Sequence, residues 1–213
     1  MAIRQPVTNF DWINWREQNE GLSFQGLVGG DIVCLLREAS NEALRRALSS
    51  LVALHESTGP RRHLALPRIF ISHRQADEKR ARVFARIAMR RRFAFWLDVL
   101  DPHLIWITNH PSSDPVRQAL AIAIQIEFAL LNCTHVLAVI TPHTVGSMWV
   151  PYEYGRVKCA TMFSFEATAW LSQAVQRTNT YAEYLRLGVV HQSRRAVKDW
   201  MDLQLRRWHA PTP

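Results

Sequence analysis

Trp149 and Glu153 are four residues apart, so on a helix they share one face, one turn from each other. A carboxylate beside a sugar carbon can stabilise or capture the positive charge that develops as a glycosidic bond breaks. A tryptophan face attracts a cationic ring. Plainer roles compete: Glu153 as a partly exposed first-turn residue that complements the helix dipole, and Trp149 as core packing. Arg74 closes the run Ser72-His73-Arg74, and its guanidinium fork matches diphosphate oxygens. Ordinary turn chemistry with an exposed arginine is the alternative there. Asp98 could bind ribose hydroxyls, although an aspartate closing a strand more often ties down the next loop, which is the role favoured here.

Other constellations fail. Ser72 and His73 are neighbours on a strand and point to opposite faces, so they form no nucleophile–base pair by themselves. The nine histidines show no metal-ligand spacing, and no metal is expected. Gly29-Gly30 lacks the Lys-Ser/Thr of a phosphate loop, which disfavours a Rossmann dehydrogenase.

Strands alternating with helices must position these residues. Ile69-Phe70-Ile71 is a short apolar run after Pro67, and a helix follows from Asp77 with Val83, Phe84, Ile87 and Ala88 inward. Phe93 to Leu97 makes a second strand ending at Asp98. Asp114-Pro115 starts a helix, aspartate as cap and proline in the first helical position, that runs to Asn132 and is apolar nearly all round. His135 to Ile140 is the continuous apolar run of a central parallel strand. A helix begins near Ser147, a strand runs from Phe163 to Trp170, and a helix covers Arg194 to about Arg207. The alternation predicts a doubly wound parallel α/β sheet, whose ligands gather at the carboxyl ends of the strands. That rule selects Ser72-His73-Arg74, Asp98 with its following loop, and Thr141 to Glu153. Ahead of all this, Asp31 caps a helix with Ile32, Leu35, Leu36, Ala39, Ala43, Ala47, Leu51 and Leu54 at helical spacing, stopped by Gly59-Pro60. Trp12, Ile13, Trp15 and Phe24 suggest a short helix and loop packed on it. Residues 1–66 thus read as an N-terminal helical extension too small for its own core, leaning on residues 67–213.

Three segments resemble the TIR (Toll/interleukin-1 receptor) family, its bacterial members in particular. Arg68-Ile69-Phe70-Ile71-Ser72-His73-Arg74 is similar to the family's opening strand and first loop. Phe95-Trp96-Leu97-Asp98 resembles its second strand, and Trp149-Val150-Pro151-Tyr152-Glu153 the segment holding the catalytic glutamate of NAD-cleaving members. The resemblance implies a flavodoxin-like TIR fold over residues 67–213. It implies NAD(+) glycohydrolase activity with Glu153 catalytic, giving nicotinamide and ADP-ribose or a cyclic isomer, with NAD as substrate and no cofactor. Ser72, His73 and Arg74 would then contact nicotinamide and ribose, and Trp149 the nicotinamide ring. The leaving pyridinium needs no proton, so one carboxylate suffices. The setting implied is bacterial immune signalling or a toxin-like effector. A non-catalytic TIR scaffold and a nucleoside deoxyribosyltransferase-like enzyme are the alternatives. The family also implies self-association, completed by the loop after the second strand, here Val99 to Asp114. Leu104, Ile105, Trp106 and Ile107 form an apolar cluster in it, suited to an interface or to folding back on its own domain. The N-terminal helices are candidates to bind a partner protein.

Charge and cysteine usage bound the remaining classes. The net charge is +8, yet residues 1–66 carry seven basic and seven acidic side chains, so the excess lies beyond them. It concentrates at Lys79, Arg80, Arg82, Arg86 and Arg90-Arg91-Arg92, and at Arg194, Arg195, Lys198, Arg206 and Arg207. Both segments read as solvated faces of amphipathic helices, the alternative being attraction of an anionic partner such as nucleotide, nucleic acid or lipid headgroup. No zinc-finger spacing or aromatic RNA-binding motif accompanies them, so nucleic acid is disfavoured as a partner. Cys34, Cys133 and Cys159 are widely spaced, fitting a reducing cytoplasm. No run reaches the roughly 18 apolar residues of a membrane span, and Met1 to Arg16 lacks a secretory pattern.

Overall fold

All six side chains of His135–Ile140 and all five of Arg68–Ser72 are buried, as strands covered on both faces require. They pair in parallel from Ile69 opposite His135 to Ser72 opposite Ala138 and form the centre of one sheet. The computed structural model describes residues 39–57, 66–156, 166–178 and 181–210. Within them the sheet has five parallel strands: β1 (Arg68–Ser72), β2 (Ala94–Trp96), β3 (His135–Ile140), β4 (Ala167–Leu171) and β5 (Val189–His191). Their order, β2-β1-β3-β4-β5, is that of flavodoxin-like sheets, and the chain changes direction across the sheet between β1 and β3.

Helices cover both faces. On one lie α2 (Glu78–Arg90) and α7 (Arg194–His209), whose Phe84, Ile87, Val197 and Met201 pack with Ile69, Ile71, Leu137 and Val139. The two basic segments therefore share one side of the sheet, and Arg91 pairs with Asp202 across them at 3.2 Å. The opposite face carries α3 (Pro102–Asn109), α4 (Pro115–Asn132), α5 (Trp149–Arg156) and the short α6 (Gln173–Thr178). Asp114 caps α4 as expected, accepting from the Val116 amide at 2.8 Å with proline in the first turn. From Ile124 to Asn132 that helix is buried throughout, whereas Pro115 and Val116 at its start are exposed. Outside it lies α1 (Asn41–Ser57), whose Leu44 is fully buried in the same core cluster. Asn41 donates to Asp114 at 2.6 Å, and Arg117 donates back to the Ala39 carbonyl. The helix predicted from Asp31 through Ala39 starts instead at Asn41: Ala39 and Ser40 are not helical, and Ser40 Oγ accepts from the Ala43 amide at 3.2 Å. Asp31 itself, the Gly59-Pro60 stop and Trp12 to Phe24 lie outside the described residues.

Three expectations need correction. Val99 to Asp114 is no open loop: a 3-10 turn (Asp98–Leu100) leads into α3, which buries Leu104 and Ile107 and leaves Ile105 45% exposed. The apolar cluster thus folds largely onto its own domain. β4 is described from Ala167, and Phe163 lies outside the described residues. The fifth strand was not anticipated; Val189 is half exposed on this short edge, so periodicity is weak there. Gln176 ties β5 in, donating to the Leu171 carbonyl at 2.7 Å and to that of Gln192 at 2.8 Å. No helix among the described residues is long and apolar enough to cross a membrane.

Candidate active site

Glu153 is the fifth residue of α5, and the first turn of that helix holds no acidic residue. The turn before it passes through Gly146 at a φ of 76° and brings Ser147 to the helix start, where its Oγ accepts from the Val150 amide at 3.3 Å. Val150 and Tyr154 anchor α5 in the core. Glu153 is thereby turned toward the end of β1, only 7% exposed, where Ser72 Oγ donates to its Oε2 at 2.6 Å. The expected dipole role for a partly exposed first-turn glutamate does not hold.

Burial pushes the Glu153 carboxyl up to about 8; the Ser72 hydrogen bond opposes this and the charge of Asp98 adds to it. No cationic side chain pairs with it among the described residues. A buried carboxyl so placed holds its proton at neutral pH and gives it up more readily when a cation arrives.

A cleft of about 900 Å³ opens at the carboxyl ends of β1, β2 and β3, within the size range of small-molecule sites and at the crevice this topology favours. His73, Arg74, Asp98, His143, Trp149 and Glu153 line its polar part. Trp96, Leu104, Ile122 and Ile126 make an apolar wall. Of the residues expected at the site, five line this cleft, and Ser72 reaches it through Glu153. Trp149 is 38% exposed and meets Tyr152 edge-on at 5.8 Å, so it is not core packing.

His73 lies with Nδ1 3.3 Å from the Ile71 carbonyl and Nε2 3.5 Å from Asp98 Oδ1. Arg74 is exposed on the rim; its carbonyl accepts from the Asp77 amide at 2.7 Å, while its guanidinium makes no hydrogen bond or ion pair among the described residues. Asp98 accepts from the Val99 amide at 2.7 Å, the loop-tying role expected of it, and still faces the cleft. Desolvation raises its carboxyl above the usual range, with His73 opposing.

Two parts of the site escaped the sequence reading. The first is the α3 wall, set by Asp101, whose buried carboxylate accepts from the amides of His103 and Leu104 and from Trp96 Nε1, each at 2.9 Å. Asp101-Pro102 carries the same cap-and-proline signal as Asp114-Pro115 and could have revealed it. The second is His143, in the 3-10 turn Pro142–Thr144, whose signal is the Thr141-Pro142-His143-Thr144 capping box at the end of β3. No family model, curated protein or solved structure matches the chain.

Proposed function

We propose that this protein is an NAD(+) glycohydrolase of the TIR type, with Glu153 as its catalytic carboxylate. One observation carries the reading: a buried carboxyl without a cationic partner sits in a cleft at the sheet's crevice, one turn from an exposed tryptophan. NAD supplies the missing cation. Its pyridinium ring meets the Trp149 face and draws the Glu153 proton off. As the ring nitrogen–C1′ bond breaks, the electron pair goes to the ring and the positive charge to the ribose carbon. The carboxylate then stabilises or captures that carbon. Nicotinamide leaves neutral and needs no acid. Arg74, free on the rim, suits the diphosphate. Self-association belongs to the same reading, with Ile105 rather than the buried Leu104 and Ile107 available to a second copy.

The deciding experiment is a chromatogram of the protein incubated with NAD. Free nicotinamide is expected from the wild type and none from Glu153→Gln; equal turnover in both would overturn the mechanism. No release from either would favour a non-catalytic scaffold. A second reading has one observation in its favour. Asp98 holds a proton more tightly than an ordinary aspartate and could protonate a neutral leaving base. Release of free base from deoxynucleosides, offered in parallel, would identify a deoxyribosyltransferase-like enzyme instead.

A further inference from the structure

Besides its two carboxyls and His73, the crevice is lined by His143, which a buried carboxylate backs. Asp77, in the turn after β1, is fully buried, and its Oδ1 accepts from Arg80 at 2.8 Å. Its Oδ2 accepts from Thr141 Oγ1 at 2.5 Å and lies 3.3 Å from His143 Nδ1. Thr141 Oγ1 in turn accepts from the His143 amide at 3.1 Å, so backbone and ring are held from the same carboxylate. With an acceptor facing Nδ1, the neutral ring carries its hydrogen on that nitrogen and presents the lone pair of Nε2. No hydrogen bond engages Nε2 among the described residues, and the side chain, 54% exposed, lines the same cleft as Glu153. A histidine meant only to close the turn has no need of a buried aspartate behind it, since the Thr141–Thr144 capping box already closes it.

We infer that His143 is the general base for the acceptor of the ribosyl group, with Asp77 as its positioning residue. This rests on the glycohydrolase reading above and assigns the half of the reaction that Glu153 leaves open. Departing nicotinamide needs no proton, but an incoming water or ribose hydroxyl must lose one. As its oxygen bonds to C1′, its proton passes to His143 Nε2 and then to solvent. NAD(+) and water thus give nicotinamide, ADP-ribose and one proton.

The test separates acceptors with an O–H from those without. NAD is incubated with His143→Gln and wild type, with and without 3-acetylpyridine, whose ring nitrogen attacks C1′ without losing a proton. His143→Gln is expected to lose about 100-fold or more of water-dependent nicotinamide release, typical of a lost general base. It should form the exchanged acetylpyridine dinucleotide within about threefold of wild type. Hydrolysis at the wild-type rate, or hydrolysis and exchange falling by the same factor, overturns the assignment. A wild type that forms neither nicotinamide nor exchanged dinucleotide overturns the glycohydrolase reading itself, and the assignment with it.

Discussion

Glu153 costs the fold more as pH rises. In the unfolded chain its carboxyl ionises near the ordinary glutamate value of 4.5, whereas burial holds it protonated in the fold up to about 8. Between those values the native state binds more protons than the unfolded one, so stability falls with rising pH and the full loss is in place above pH 8. Glutamine, neutral and of the same shape, escapes the penalty. Glu153→Gln should therefore be nearly neutral in thermal melts at pH 4.5 and stabilising by a few kcal/mol at pH 9. A stability difference that does not grow with pH would show that Glu153 is not held protonated. If Glu153 is the catalytic carboxylate, as proposed, kcat/KM for NAD should rise with pH toward a midpoint near 8, and kcat with a lower one, because the bound cation favours the carboxylate. A flat kcat/KM profile between about pH 6.5 and 9 would count against it. For Trp149, more than a third exposed, Phe should keep most of the ring contact while Ala raises KM sharply with little change in melting temperature. A large melting shift without a kinetic one would mean a packing role. Residue type and spacing marked both side chains as candidates, and the family resemblance, not the spacing, singled out Glu153. What spacing did not convey was that the end of β1 closes over Glu153: a glutamate near a helix start reads as solvated until the neighbouring strand is in place.

Element by element, helix caps and long apolar runs carried the information, and short amphipathic pieces did not. β3 and α4 were readable because burial on all sides leaves an unbroken apolar run. β5 has three residues on a sheet edge, with little burial to pattern them. α3 has eight residues whose apolar positions read equally well as an interface, and its aspartate cap was the one clear sign. That aspartate does more than cap, since Gln125 of α4 also donates to both of its oxygens, at 3.2 and 3.1 Å. Asp101→Ala should cost about 3 kcal/mol, a lost cap plus stranded donors on Trp96 and Gln125. Asp101→Asn tells the two roles apart. Asparagine is as good a cap, but its amide would face the Trp96 and Gln125 donors. We expect Asn to destabilise nearly as much as Ala; a neutral Asn variant would reduce Asp101 to a simple cap. Gly188 offers a packing check on the poorly patterned end of the sheet. A Cβ there would lie 2.1 Å from Tyr154 Oη and 2.7 Å from the Ala167 carbonyl, so Gly188→Ala should cost about 1–3 kcal/mol in denaturant unfolding. An unchanged midpoint would mean that both Tyr154 and the Ala167 backbone move aside freely.

Over the whole molecule, the cleft depends on a chain of layers that begins outside the sheet. α4 supplies Ile122 and Ile126 to the cleft wall and Gln125 to Asp101. Its outer side is in turn covered by α1, which buries Leu44 completely and reaches the α4 cap through Asn41. The helical spacing of Ala43 and Ala47 announced a face covered by the rest of the chain, yet a single sequence does not say which element covers it. The partner is 70 to 80 residues away along the chain, as the Asn41–Asp114 and Arg117–Ala39 pairs show. If α1 is continuous with the core in this way, it should melt with it. Leu44→Ala creates a cavity between α1 and α4 and should cost about 2–5 kcal/mol, lowering the midpoint of one cooperative transition. Helix content and the fluorescence of the buried Trp96 and Trp200 should fall together in that melt. NAD cleavage should be lost over the same temperature range, because the cleft wall is unsupported once α1 releases. Loss of part of the helix signal at lower temperature, with tryptophan fluorescence and NAD cleavage unchanged, would make α1 an appendage that the site does not need.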